Sequence, residues 1–159
     1  MPGPSPRFPA LAVWVNGRRA AIWSRVDGAT ECLQYDPDWH GSAFGRPLSL
    51  TLPFTPANNP HRGPVVAHWF ENLLPDSDAI RRRIASRFTT GRTDARSLLA
   101  AIGRDCVGAV QLLPFDEEPG DVRRITADPL TDAQVASMLH AVRRSAALGA
   151  AVADEPDFR

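Results

Sequence analysis

A chain of 159 residues, 43% apolar and 23% charged, has the size and balance of one globular domain with a short appendage, large enough to fold without metal or disulfides. Its formal net charge is zero, which argues against a broad electrostatic footprint for nucleic acid and gives no reason for membrane-surface attachment. All eighteen basic residues are arginine, so any mechanism that needs a lysine within this chain is excluded, whether in a phosphate-binding loop, a kinase strand or a Schiff base.

Residues 1–9 are rich in proline and are expected to be a disordered lead-in. Leu11 to Val15 is strand-like, and Asn16-Gly17 between apolar β-formers predicts a tight hairpin, because both turn residues take positive φ. Ala20 to Arg25 is the returning strand, Asp27-Gly28 a second turn and Glu31 to Tyr35 a third strand. Between Arg46 and Pro53, leucines at 48, 50 and 52 alternate with Ser49 and Thr51, which predicts a half-buried strand. Residues 54–64 hold three prolines and read as a loop.

Pro64 suits the first turn of a helix, and apolar residues at 65, 66, 69, 70, 73 and 74 form its buried face up to Pro75. Asp76 or Ser77 caps a second helix that presents Ile80, Ile84 and Phe88 inward. Asp94 caps a third, with Leu98, Leu99 and Ile102 inward and Gly103 at its end. Val107 to Leu113 is a buried strand, and Val122 to Ile125 a short one. Thr131 and Gln134 match a capping box that opens an amphipathic helix through Arg144, with Val135, Met138, Leu139 and Val142 inward. The fold class is therefore α+β: a mainly antiparallel sheet built on an N-terminal meander, packed helices, and a C-terminal amphipathic helix. The expected division is a domain over residues 10–115, then a linker and helix over 116–159.

A search for chemistry finds little that converges. The chain lacks GxGxxG, a P-loop, GxSxG, HExxH and the zinc-deaminase pattern. His40, His61, His68 and His140 show no metal-ligand spacing, and neither Cys32 nor Cys106 belongs to a CxxC pair. No metal and no cofactor is expected. Two unpaired thiols, the absence of a secretion signal in Met1 to Ala10 and the lack of a ~20-residue apolar run fit a cytoplasmic protein without membrane contact. Cys106 is read as a small buried residue, since nothing beside it in sequence would lower its pKa. Arg81, Arg82, Arg83 and Arg87 read as a solvated helix face, with direct phosphate or DNA contact the minor alternative. Trp39, in a predicted loop, and Trp69, on a predicted helix, are candidate interface anchors.

Three segments together carry a resemblance: Arg46-Pro-Leu-Ser-Leu-Thr-Leu-Pro53, Trp69-Phe-Glu-Asn-Leu-Leu-Pro-Asp-Ser77 and Ile102-Gly-Arg-Asp-Cys-Val-Gly-Ala-Val110. In this order and spacing they resemble the N-terminal region of HipA-family proteins, the toxin serine/threonine kinases of bacterial toxin–antitoxin modules. The resemblance covers roughly residues 11–159 and includes the opening hairpin and the acidic end Glu155 to Arg159. The residues it singles out are Trp39, Trp69, Asn72, Leu73, Leu74, Pro75, Asp76, Gly103, Arg104, Asp105 and Gly108. Asn72 and Asp76 are expected to bond main chain at the helix-helix corner, Gly103 to let a helix stop, and Gly108 to permit close approach.

The resemblance implies a non-catalytic module. The family's kinase core would follow Arg159, so none of its catalytic residues has a counterpart here. The implied partners are a HipA-type kinase core, in cis or in trans, and a HipB-like helix-turn-helix antitoxin, with nucleic acid met only indirectly. The chain would be a truncated kinase or the small subunit of a split module, and the helix over 131–144 favours the truncated kinase. The rival expectation is a small independent enzyme with a site around His68, Asp76 and Asp105.

Overall fold

Two turns with paired positive φ values set the scaffold. Asn16 and Gly17 (φ 50° and 75°) reverse β1 (Leu11–Val15) into β2 (Arg18–Val26), and Asp27 and Gly28 (φ 52° and 73°) reverse β2 into β3 (Thr30–Tyr35). This is the meander expected from sequence, with β2 longer at both ends than its apolar stretch suggested. The computed structural model describes residues 10–106, 109–121, 124 and 127–148. The lead-in over residues 1–9, the acidic end and the strand expected around residues 122–125 lie at least partly outside the described residues.

The chain divides into two compact units, Met1–Arg123 and Arg124–Arg159. In the first, five antiparallel strands lie in the order β4-β3-β2-β1-β5, with β4 at His61–Arg62 and β5 at Val110–Pro114. β5 crosses back to pair with β1, Val15 opposite Val110 and Leu11 opposite Pro114. Pro114 lacks an amide donor and is tolerated because β5 is an edge strand. Four helices accompany this sheet: α1 (Pro37–His40), α2 (Pro64–Glu71), α3 (Asp78–Arg87) and α4 (Ala95–Ile102). Trp23, Leu33 and Tyr35 from the sheet, Val66 and Phe70 from α2, Leu98 and Leu99 from α4, and Leu112 from β5 share one core.

Several expectations are corrected. Residues 46–53 form no strand of the sheet; they make a tight turn with a single bridge between Ser49 and Leu52. Prolines at 47 and 53 cannot donate to a ladder, and Ser49 Oγ accepts from the Thr51 amide at 3.1 Å, so local bonding wins over extension. The three leucines consequently part company. Leu52 is fully buried, Leu48 half-buried and Leu50 fully exposed.

The segment read as a loop over 54–64 contains β4, and Gly63 N there bonds Glu31 O at 2.8 Å. Of the residues expected inward on the second helix, Ile84 is half-buried against the core, while Ile80 in α3 and Phe88 just after it are 45% and 48% exposed; Ala85 is the buried residue of α3. Ser77 occupies the N-cap position of α3 without a side-chain cap bond. Asp94 does cap α4, its carboxylate accepting from Ser97 N at 3.2 Å. In the second unit, α5 (Asp132–Leu148) runs past Arg144, and the capping box is present, Gln134 accepting from Thr131 N at 2.8 Å. Of the residues expected to face inward on α5, Val135 and Leu139 are 42% and 62% exposed and Met138 is half-buried.

Tyr35 holds the 48–52 turn to β3. Its hydroxyl accepts from Leu48 N at 2.8 Å and donates to Leu52 O at 2.5 Å. Burial raises its pKa above the usual 10.0, with the Leu48 amide pulling the other way. A phenol with a raised folded pKa contributes stability that is complete below pH 10 and is lost as pH climbs through the folded value. Tyr35→Phe leaves both main-chain groups unpaired and is expected to cost ~1–3 kcal/mol in chemical denaturation, with a smaller loss of stability above pH 10 than in the parent.

Candidate interaction surface

The charged centre of the domain is Glu31 on β3, a residue that sequence reasoning passed over. Its carboxylate accepts from Trp23 Nε1 at 2.5 Å, Arg25 Nε at 2.6 Å and an Arg96 guanidinium nitrogen at 2.7 Å. Arg96 reaches it from α4, sixty-five residues along the chain, and its guanidinium lies 4.1 Å from the centroid of the Trp23 ring. The other face of the motif is a parallel stack of Trp23 on Phe70 of α2, centroids 3.6 Å apart. One carboxylate thus joins β2, β3 and α4, and the indole it holds joins α2. Burial lowers the Arg96 pKa, and the bond and charge of Glu31 offset that. Removing one partner of a buried ion pair strands the other, so Glu31→Gln is expected to cost roughly 3–5 kcal/mol in denaturant unfolding.

The family-motif residues have distinct placements. Trp39 lies on α1 rather than in a loop, because Asp36 caps that helical turn through the Asp38 amide at 2.9 Å. Only 7% exposed, it donates from Nε1 to Arg46 O at 2.9 Å, which ties α1 to the start of the leucine segment. Trp69 is half-buried and meets Phe70 edge-on at 4.8 Å. Leu74 is buried, Leu73 and Pro75 are half-buried, and Asn72 and Asp76 are exposed. Arg81, rather than Asn72 or Asp76, ties the helix-helix corner: its Nε donates to Pro75 O at 2.7 Å and its Nη1 to Glu71 Oε2 at 2.6 Å. Arg82 and Arg83 beside it are exposed.

Gly103 ends α4 with ordinary right-handed angles (φ −67°, ψ −6°), so conformational freedom is not its use. An added Cβ would sit 2.6 Å from Leu112 Cβ and 2.9 Å from Leu112 O, so Gly103 permits close approach of α4 to β5. Gly108 itself lies outside the described residues. Gly103→Ala is expected to push α4 off β5 and lower stability by ~1–3 kcal/mol, read as a drop in Tm.

Arg104 pairs with Glu117, and its carbonyl accepts from Gln111 Nε2 at 3.0 Å. Asp105 is exposed and lines a shallow depression of about 190 Å³ with Arg104, Cys106 and Gln111. Burial, and then the Asp105 charge, push the Cys106 thiol up to about 11, which keeps it protonated and unreactive at neutral pH. A larger open depression of about 400 Å³ is bordered by Trp14, Arg18, Arg19, Asp36 and Trp39. Within it Arg19 is closed onto Asp36 at 2.7 Å, and Arg18 lies over the exposed Phe44 ring at 5.0 Å. His68 and Asp76 line neither depression, so the trio expected of a small enzyme does not share one of these sites with Asp105. Among the described residues no cluster of three His, Cys, Asp or Glu has metal-binding geometry, and no helix is long and apolar enough to cross a membrane.

These features define an α+β domain whose buried charges serve its own framework. The chain belongs to the HipA N-terminal domain family, whose model matches residues 11–113, from the first residue of β1 to the penultimate residue of β5. In sequence it is similar to Y4mE of Sinorhizobium fredii (strain NBRC 101917 / NGR234), a protein named provisionally as a kinase. The two are 31% identical over 126 residues, 78% of this chain and 28% of that protein. Its fold is similar to that of a chain in the Shewanella oneidensis MR-1 complex of HipA, HipB and operator DNA, a toxin–antitoxin system. The TM-score is 0.61 at 21% identity, over 82% of this chain and 29% of that one. The chain therefore spans less than a third of the length of either.

Proposed function

We propose that this chain is the non-catalytic N-terminal module of a HipA-type toxin–antitoxin kinase, working in the cytoplasm. It packs on the kinase core, in cis or in trans, restrains that core, and contacts a HipB-like antitoxin. Nucleic acid is met only through that antitoxin. The observation that carries this reading is the position of the family match, which falls on the whole five-stranded sheet and its helices. The buried charged residues described within that region, Glu31, Asp36 and Arg96, are bound to one another or to neighbouring framework groups. What the domain offers a partner is shape and surface. A domain that contributes surface to an enzyme elsewhere in the assembly is tested by assembly rather than by turnover.

The decisive experiment mixes the purified chain with the HipA-type kinase core encoded with it. A common early peak in size-exclusion chromatography and a dissociation constant in the micromolar range or tighter are the expected results. Separate elution at high micromolar concentration overturns the reading. So does transfer of radioactive phosphate by the chain alone.

A further inference from the structure

We propose that Leu50 is the apolar anchor by which this domain seats on the rest of its kinase, an inference that rests on the module reading above. Leu50 is 100% exposed, while Leu52, two residues on, is 0% exposed. That exposure is imposed by the backbone. Leu52 N bonds Ser49 O at 3.1 Å, and the Ser49 and Thr51 hydroxyls bond each other at 2.9 Å. The Tyr35 hydroxyl clamps both ends of the turn, at Leu48 N and Leu52 O. A side chain held out on a fixed turn loses little further freedom when a partner covers it, which is the condition for an efficient anchor.

The surroundings suit the centre of an interface. From Pro47 to Pro60 there is no charged residue, and interface centres are depleted of charge. Ser49 and Thr51 have already spent hydrogen bonds on each other, so covering them strands little. The occupant we assign is the remainder of the kinase. This chain matches 28% and 29% of its two longer relatives, so more than two-thirds of each lies beyond the domain that carries this turn.

Leu50→Asp and Leu50→Ser should leave the Tm of the chain unchanged, because the side chain contacts solvent alone. Both should weaken binding to the accompanying kinase core roughly ten- to hundredfold, the worth of one fully covered leucine. A Leu50→Cys variant gives an independent readout. Cys32 is buried and the Cys106 thiol is held near pH 11, so a maleimide added at neutral pH labels position 50 first. Labelling should be fast in the isolated chain and at least tenfold slower in the complex. If the parent chain binds while Leu50→Asp binds equally well, or Leu50→Cys labels in the complex at its isolated rate, the anchor is overturned and the module reading stands. If the parent chain does not bind at all, the module reading falls and the anchor falls with it.

Discussion

The fold depends on a single buried carboxylate. Glu31, on β3, satisfies an indole and a guanidinium from the neighbouring strand β2 and a second guanidinium from α4, a helix that no backbone ladder ties to the sheet. Charge-assisted bonds are directional, so they fix where α4 lies over the sheet, and the Trp23–Phe70 stack passes that position on to α2. A core of leucines and valines tolerates sliding; an indole gripped at its nitrogen, covered by a cation and stacked on a phenyl ring does not. Everything the domain displays at its surface, including the helix-helix corner and the leucine turn, is placed relative to that arrangement.

The parts legible in sequence are those fixed by local constraints. Asn16-Gly17 and Asp27-Gly28 require positive φ, and the meander follows from them. Asp94 and Thr131 cap because a short polar side chain precedes a helical stretch. The leucine segment misled because alternation describes a strand only where the amides are available, and prolines at both ends with a serine inside turn the chain back on itself. Trp39 was legible as important yet misplaced, since a one-turn helix after Asp36-Pro37 has too few residues to show periodicity.

Glu31 escaped notice for a different reason. An acid on a strand between Thr30 and Cys32 reads as solvent-facing. The Arg25–Glu31 cross-strand pair, predictable once the turn at Asp27-Gly28 is set, was the available signal. Arg96 has no such local signature, because its contact is made across 65 residues. The same holds for Gly103, whose purpose becomes visible only when Leu112 is laid against it. Sequence carried the family, through three motifs in register. It did not carry the division of labour within those motifs, where Leu52 and Leu74 build the core and Leu50 stands clear of it.

The strand order has a consequence for how the protein is made. β1 emerges first from the ribosome, yet its second partner, β5, ends at Pro114. Until about a hundred further residues have been synthesised, β1 presents an unpaired edge of Leu-Ala-Val-Trp-Val to its surroundings. Such an edge is a template for wrong pairing, and closing it early is impossible whatever the local speed of the hairpins. The nascent chain is therefore most exposed to aggregation and to chaperone capture during the interval in which α2 to α4 are being translated.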